Sequence, residues 1–441
     1  MQSVLYSLKR INYRLFWALM LLAIMPAIYI TVRVHLLGNF PDTWGFNIAS
    51  QMQWIHLLYE VMQEALILPL FFIMGLSLKN KAALENKVRS GLFVTLLIYV
   101  ILSMFVIYFA RPLVVFMAQQ EDLIEATIDF VRLETVASIF MTMVKFITLV
   151  LITIGKSRYL YIILATKMLM TIVLDVFFIS QASFSLNLGV NGIAYSNMIV
   201  NAAIFIMAVV VLYHHGIRIF SLKRFEFTWM RQWFRVGLFS GLESLTRNLA
   251  FMLMIVRLMN VVQEQGTFWT GNQFIWSWLL LPILTLGDLI KKEIAEDKQN
   301  IQENTLGYFV ITSIILLLWF ITMPLWPAFL RDVMNLGNYT TVFYLVMIQL
   351  FFYIIFAYNN ILDSTFYGVG KTHYLFYQSI VVNIFFYGGA FILYRMGIFI
   401  PTLTSVALLF GLGIFADFIP TLILYRKLLK DENLTLYPKK V

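Results

Sequence analysis

Long apolar runs separated by short polar breaks recur along the whole chain, and no other feature restricts the fold as much. Twelve are legible, at approximately 13–37, 52–78, 92–110, 124–154, 158–181, 188–213, 232–260, 268–290, 305–326, 340–368, 373–395 and 400–425. A helix needs about 20 apolar residues to cross the hydrocarbon of a bilayer, and each run is near that length or longer. The composition agrees. The 441 residues are 61% hydrophobic and 12% charged, against about 45–50% and about 25% in soluble domains. A soluble core could not hide so much apolar surface. The chain therefore reads as an all-α integral membrane protein with twelve transmembrane helices. The first run exceeds a signal-peptide core and no small-residue cleavage pattern follows it, so it counts as a span.

The loop charges set the orientation. With the N-terminus in the cytoplasm, one side collects Lys9, Arg10, Arg14, Lys79, Lys81, Lys87, Arg89, Lys156 and Arg158. The same side holds Arg218, Lys223, Arg224, Arg231, Arg235, Lys291, Lys292, Lys298 and Lys371, then Arg426, Lys427, Lys430, Lys439 and Lys440. These are 23 of the 32 basic residues, and the other side has only Arg111, Arg331 and Arg395. A wrong helix count would scramble this alternation, so both termini are expected to be cytoplasmic. The formal charge of +9 then marks cytoplasmic loops and gives no reason to expect nucleic acid.

Several chemistries are excluded. Without cysteine there is no disulfide, thiolate metal site or thiol nucleophile. The five histidines form no HExxH or other zinc spacing. Gly370-Lys371-Thr372 resembles the end of a phosphate loop, but the required first glycine falls on Thr365, so an ATP-driven pump is not expected. No loop between spans is long enough for a soluble catalytic domain. The chain reads as a non-enzyme without a cofactor.

The sequence also repeats. Gly155-Lys156-Ser157-Arg158-Tyr159-Leu160-Tyr161 returns 215 residues later as Gly370-Lys371-Thr372-His373-Tyr374-Leu375-Phe376. Leu66-Ile67-Leu68-Pro69 returns 213 residues later as Leu279-Leu280-Leu281-Pro282. A charged segment follows each proline helix, Lys79 to Lys87 and Lys291 to Lys298. The spacing predicts two pseudo-symmetric six-helix lobes, 1–220 and 221–441, in the parallel-repeat plan of transporters.

Asp175 in Leu174-Asp175-Val176-Phe177-Phe178-Ile179, followed by Leu188-Gly189-Val190-Asn191-Gly192-Ile193-Ala194, resembles the fifth-to-sixth helix signature of the multidrug and toxic compound extrusion (MATE) family. Gly237-Leu238 through Asn248, and Tyr367-Gly368-Val369-Gly370-Lys371-Thr372, are similar to further landmarks of that family. The resemblance extends to the superfamily that also holds lipid-linked-oligosaccharide flippases (MOP). The Gly-x-x-x-Asp-Arg loop of the major facilitators is replaced by Gly75-Leu76-Ser77-Leu78-Lys79-Asn80-Lys81.

Ionisable residues inside hydrocarbon cost at least about 2.5–3.5 kcal/mol and are functional candidates by default. The acids within spans are Glu60, Glu64, Glu134, Asp175, Glu243, Asp288, Asp363 and Asp417; the bases are Arg33, Arg132, Lys145, Lys167, Arg247 and Arg257. Asp288, Asp363 and Arg257 lie near span ends, where a side chain can reach the interface. Glu60 and Glu64, at i and i+4, share a helix face and suit proton or sodium exchange, or pair structurally with Arg33 or His56. The resemblance implies that Asp175 contributes to a proton or sodium site, with Thr171 and Ser196 offering oxygen atoms. It also puts an acid in helix one, five positions before a glycine. Counting back from Gly38 gives Arg33, with His35 nearby. A permanent cation there removes the main sodium ligand and predicts an ion pair with Asp175 or Glu60. Lys145 and Lys167 could meet Glu134 and Asp175, and Arg132 could meet Glu134. In the second half, Glu243, Arg247 and Asn248, with Tyr358, Asn359 and Asn360, are the candidate cavity lining.

The functional expectation is a secondary exporter of amphipathic organic compounds, cations among them, driven by proton or, less favourably, sodium antiport. A flippase for lipid-linked oligosaccharide or another lipid is the alternative. The partners expected are the bilayer and a small organic substrate, with the chain a monomer in a plasma membrane, the bacterial inner membrane by resemblance.

Overall fold

The computed structural model describes residues 2–41, 44–75, 77–156, 158–221 and 224–434. Leu76, Ser157, Lys223, Lys439 and Lys440, which enter the loop and repeat readings above, lie outside the described residues. Among those described, the elements are helices and their connections, with no strand.

A short helix α1 (Gln2–Arg10) precedes α2 (Tyr13–Leu37). Then come α3 (Trp44–Gly75), α4 (Lys81–Tyr108), α5 (Glu121–Thr153), α6 (Tyr159–Ile179) and α7 (Asn191–His214). Helix α8 spans residues 230–261. The rest are α9 (Gln265–Leu279), α10 (Leu281–Glu296), α11 (Asn300–Val333), α12 (Tyr339–Val369), α13 (His373–Arg395) and α14 (Leu403–Asp431). Ten of the described helices are long and apolar enough to cross a membrane. There are eleven if α9 and α10, bent by 54°, form one broken span. The remaining expected span, 232–260, is helical as α8. It fails on hydropathy because Arg235, Glu243, Arg247 and Arg257 interrupt it, so the count of twelve rests on a polar helix.

Packing divides the chain into two compact units, Val32–Gly266 and Met1–Thr31 with Thr267–Val441. The packing boundaries fall at 31/32 and 266/267, whereas the sequence repeat divides the chain into 1–220 and 221–441. In the second unit, α1 lies along α11. Ser7 donates to the Glu303 carbonyl (2.5 Å), Arg10 pairs with Glu303 (2.5 Å), and Asn12 N donates to Glu293 Oε1 (2.8 Å). Glycine at 307 allows the approach, since a Cβ there would meet Ile11 Cδ1 at 2.8 Å. Ile11 and Phe16 join Leu289, Ile290, Tyr308 and Ile361 in one buried cluster. Leu429 and Leu434 pack against the same cluster, and between them Glu432 accepts from Lys298 (3.2 Å) and pairs with Lys371 (3.0 Å).

Both repeated motifs take matching local forms. Gly155 and Gly370 are each left-handed, at φ 73° and 78°. The following lysine N–H reaches back five residues in both, Lys156 to Leu151 and Lys371 to Phe366. Glycine adopts this conformation without a Cβ penalty, and the turn satisfies the last carbonyls of the helix. The proline motifs match as well. A wide π-turn precedes each proline, over Gln63–Ile67 and Ile275–Leu279. Proline lacks an N–H and its ring collides with the carbonyl four residues back, so the helix opens there. Corresponding carbonyls three residues before each proline are met by tryptophans: Trp233 Nε1 donates to Leu66 O (2.7 Å), and Trp319 Nε1 to Leu279 O (3.1 Å).

Candidate functional site

The helices gather their ionisable residues into three centres. The first joins α2, α5, α6 and α7. Arg33 meets Asp175 through two parallel hydrogen bonds, Nε to Oδ2 (2.8 Å) and Nη2 to Oδ1 (3.0 Å). A bidentate guanidinium–carboxylate pair combines charge with fixed geometry, and Asp175 is fully buried. Arg33 Nη2 also donates to Asn197 Oδ1 (2.9 Å), and Asn197 Nδ2 donates to Glu134 Oε1 (2.7 Å). Because Arg33 takes the amide oxygen of Asn197, its NH₂ must face Glu134. Ser196, beside Asn197, is buried and its hydroxyl has no partner. Thr171 is buried one turn before Asp175.

The second centre lies between α3 and α8. The π-turn before Pro69 presents the Ala65 segment, and α8 closes on it through two glycines one turn apart. A Cβ at Gly237 would collide with the Ala65 carbonyl, and one at Gly241 would lie 2.7 Å from Ala65 Cβ. Small residues at such spacing let helix backbones approach. The approach brings Arg247 to Glu64 (2.9 Å) and Glu60 (3.1 Å), with Glu243 of the same helix at 3.8 Å. Three carboxylates thus share one guanidinium. Asn248 donates to Leu57 O (3.2 Å) on the same contact. Arg247 and Glu60 are each about two-fifths exposed, with side-chain values of 41% and 42%, so solvent weakens their attraction.

The third centre lies in the second unit, on α12, α13 and α14. Asn359 Nδ2 donates to Asp363 Oδ2 (3.2 Å) and to Asp417 Oδ2 (3.0 Å), so one amide holds two carboxylates. Gln378 Nε2 donates to Asp363 Oδ1 (3.0 Å), and Thr421 donates to Gln378 Oε1 (3.0 Å). Asn359 is buried and its Oδ1 has no partner. No Lys, Arg or His among the described residues forms an ion pair with either acid.

The sequence paired Arg33 with Asp175 or Glu60, and the fold selects Asp175. Neither Arg33 nor His56 meets the glutamate pair; Arg247 does. The other suggested pairings do not form, because Asn197 holds Glu134 and Lys145 donates instead to Gln63 (2.6 Å). Tyr358, Asn359 and Asn360 each take a different partner. Tyr358 bonds Ser313 (2.9 Å), Asn359 holds the two aspartates, and Asn360 donates to Ile283 O (3.0 Å). Asp288 does reach outward, exposed and bonded to Lys291 (2.9 Å). Asp363, grouped with it by depth, does not. The sequence reading missed the Asp363–Asp417 centre and Asn197. Their signal was a polar residue four positions from an acid, as in Asn359 and Asp363, or directly after a serine, as in Asn197.

A MatE family model matches residues 76–177, which include Glu134 and Asp175. A multidrug resistance MATE family transporter of the MOP superfamily, in its inward-facing conformation, matches with a TM-score of 0.73 at 14% identity, over 94% of this chain and 99% of that one. The fold is that of the MATE transporters. The outward-facing conformation of such a transporter matches this MATE-fold chain at TM-score 0.63 and 14% identity, over 96% of both. A MOP superfamily transporter from Pyrococcus furiosus, described by a reversed polarity of its binding pocket, matches at TM-score 0.60 and 16% identity, over 94% of this chain and 96% of that one. No curated protein sequence matches it. The family match and the fold bear out the MATE resemblance read from the fifth and sixth helices.

Proposed function

We propose that the chain is a secondary exporter of amphipathic organic compounds, working by alternating access with proton antiport. The observation that carries the coupling is the Asp363–Asn359–Asp417 centre. Two carboxylates held by one amide, with no base in contact, repel one another when both are ionised, and a proton relieves that repulsion. Proton exchange there biases alternating access only if the proton binds the two states differently. Sodium antiport has less support. Arg33 already occupies both oxygens of Asp175, where a hard cation would need them. Glu60, with its side chain 42% exposed, and the more covered Glu64 and Glu243, at 18% each, give organic cations an acidic surface. The repeat supports two six-helix lobes, 1–220 and 221–441, and the loop charges support cytoplasmic termini in a plasma membrane, bacterial by the resemblance. We place the protein there as a monomer.

Proteoliposomes test this reading. Ethidium efflux should follow an imposed pH gradient and ignore a sodium gradient of equal size. Efflux that follows sodium alone, or no efflux under either gradient, would overturn the reading. A second reading, a flippase of lipid-linked oligosaccharide or another lipid, draws on Arg33, Lys145 and Lys167 inside the spans and on the reversed pocket polarity of the Pyrococcus furiosus relative. Translocation of a lipid-linked pyrophosphate in the same vesicles, without ethidium efflux, would favour it.

A further inference from the structure

We infer that Glu134, and not Asp175, carries the exchanged proton in the first unit. This rests on the proton-antiport reading. Asp175 is fully engaged, since Arg33 donates to both of its oxygens. Glu134 is engaged on one side only. Its Oε1 accepts from Asn197, while its Oε2 is buried and has no hydrogen-bond donor. The residue is 3% exposed. A charged carboxylate oxygen buried without a donor forfeits its hydration and gains nothing in return. Protonation turns that oxygen into a donor, and acceptors lie nearby in the helix register. One turn beyond the Glu134–Asn197 contact are Ser138 on α5 and Asn201 on α7. Ser138 Oγ and Asn201 Oδ1 are both buried and both lack a partner.

The charged groups facing Glu134 are Arg33 from α2 and Asp175 and Lys167 from α6; α7 contributes only amides and hydroxyls to this contact. Asn197 is the positioning residue, since Arg33 fixes the direction of its amide. The transfer itself is simple. The O–H bond at Glu134 Oε2 breaks, the pair stays on the carboxylate, and the proton passes to water. The negative charge left behind lies one asparagine away from Arg33. A change at Glu134 is therefore felt at the ion pair that ties α2 to α6.

The test uses the full-length protein. In detergent, the infrared C=O band of a protonated carboxylic acid should titrate in the wild type. Measured in an Asp363→Asn/Asp417→Asn background, which removes the carboxyls of the other centre, it should be lost in Glu134→Gln, persist in Asp175→Asn and shift in Glu134→Asp. In proteoliposomes, Glu134→Gln should lose pH-driven ethidium efflux by about tenfold or more, with ethidium affinity retained. An unchanged band and unchanged efflux in monodisperse Glu134→Gln would overturn the assignment. Should that variant fail to fold, an unshifted band in Glu134→Asp would overturn it equally. Wild-type protein without pH-driven efflux would instead overturn the exporter reading, and the infrared band would still decide whether Glu134 takes the proton.

Discussion

The Arg33 centre and the Asp363 centre share a plan: each draws two carboxylates together among apolar helices and links them through an asparagine, but only the first contains a cation. Asn197 gives its oxygen to Arg33 and its NH₂ to Glu134. Asn359 gives its NH₂ to both aspartates, and its buried oxygen stays without a partner. A buried charge must be paired, hydrogen-bonded or neutralised. In the first centre a guanidinium pairs with both oxygens of Asp175. In the second only amides are available, so neutralisation by a proton is the natural remedy. One chain thus contains a locked acid and a labile pair, and mutation should separate them.

The sharpest break is expected at Arg33. Arg33→Leu leaves Asp175 buried without its partner and should cost about 3–5 kcal/mol, read as a lower melting temperature in detergent. Adding Asp175→Asn should restore most of the loss. If Arg33→Leu alone melts like the wild type, the two centres do not differ as described.

Asp363→Asn and Asp417→Asn should behave in the opposite way. Neither removes a counter-charge, so stability should change by less than about 1 kcal/mol. Ethidium efflux driven by a pH gradient should nevertheless fall several-fold. Strong destabilisation with efflux intact would reverse the roles assigned to the two centres.

Arg247 lies between these extremes. It is charged like Arg33 but considerably more exposed. Solvent screening limits such pairs to about 1 kcal/mol or less. Arg247→Gln should therefore lower the melting temperature far less than Arg33→Leu, and its effect should shrink as salt is raised.

The smallest effect is expected outside the spans, at Glu432. Hydrogen bonds from Lys371 and Lys298 hold its carboxyl below the ordinary 4.5. A lowered acid contributes its stability above the unfolded value and loses it as the pH falls through the folded one. Hydrogen exchange across residues 425–434 should be slow at neutral pH and accelerate only below about pH 4.5. Glu432→Gln should remove that dependence.

Much of this was legible beforehand because hydrophobic periodicity and proline chemistry act locally. The runs gave the helices, and the Leu-Pro repeat marked both π-turns. Gly155 and Gly370 marked two matching helix ends. What escaped was register in the third dimension. Asp363 was grouped with Asp288 by its depth along the chain, yet α13 and α14 bring Gln378 and Asp417 to it and leave Asp288 facing outward. Helix spacing offers Arg247 a local partner in Glu243, at i−4. The glycine crossing at Ala65 made Glu60 and Glu64 its closer partners.

The sequence alone determined that this protein is helical and lives in a membrane, because the cost of exposing apolar runs to water and unpaired backbone to lipid leaves no other solution. It also supplied the unusual arginine in helix one. Tertiary structure alone decided which acid that arginine neutralises, which acids remain with amides only, and that Glu134 keeps one oxygen without a donor. Those outcomes depend on which helix faces meet. A residue's type states its chemistry, but only packing states its partner.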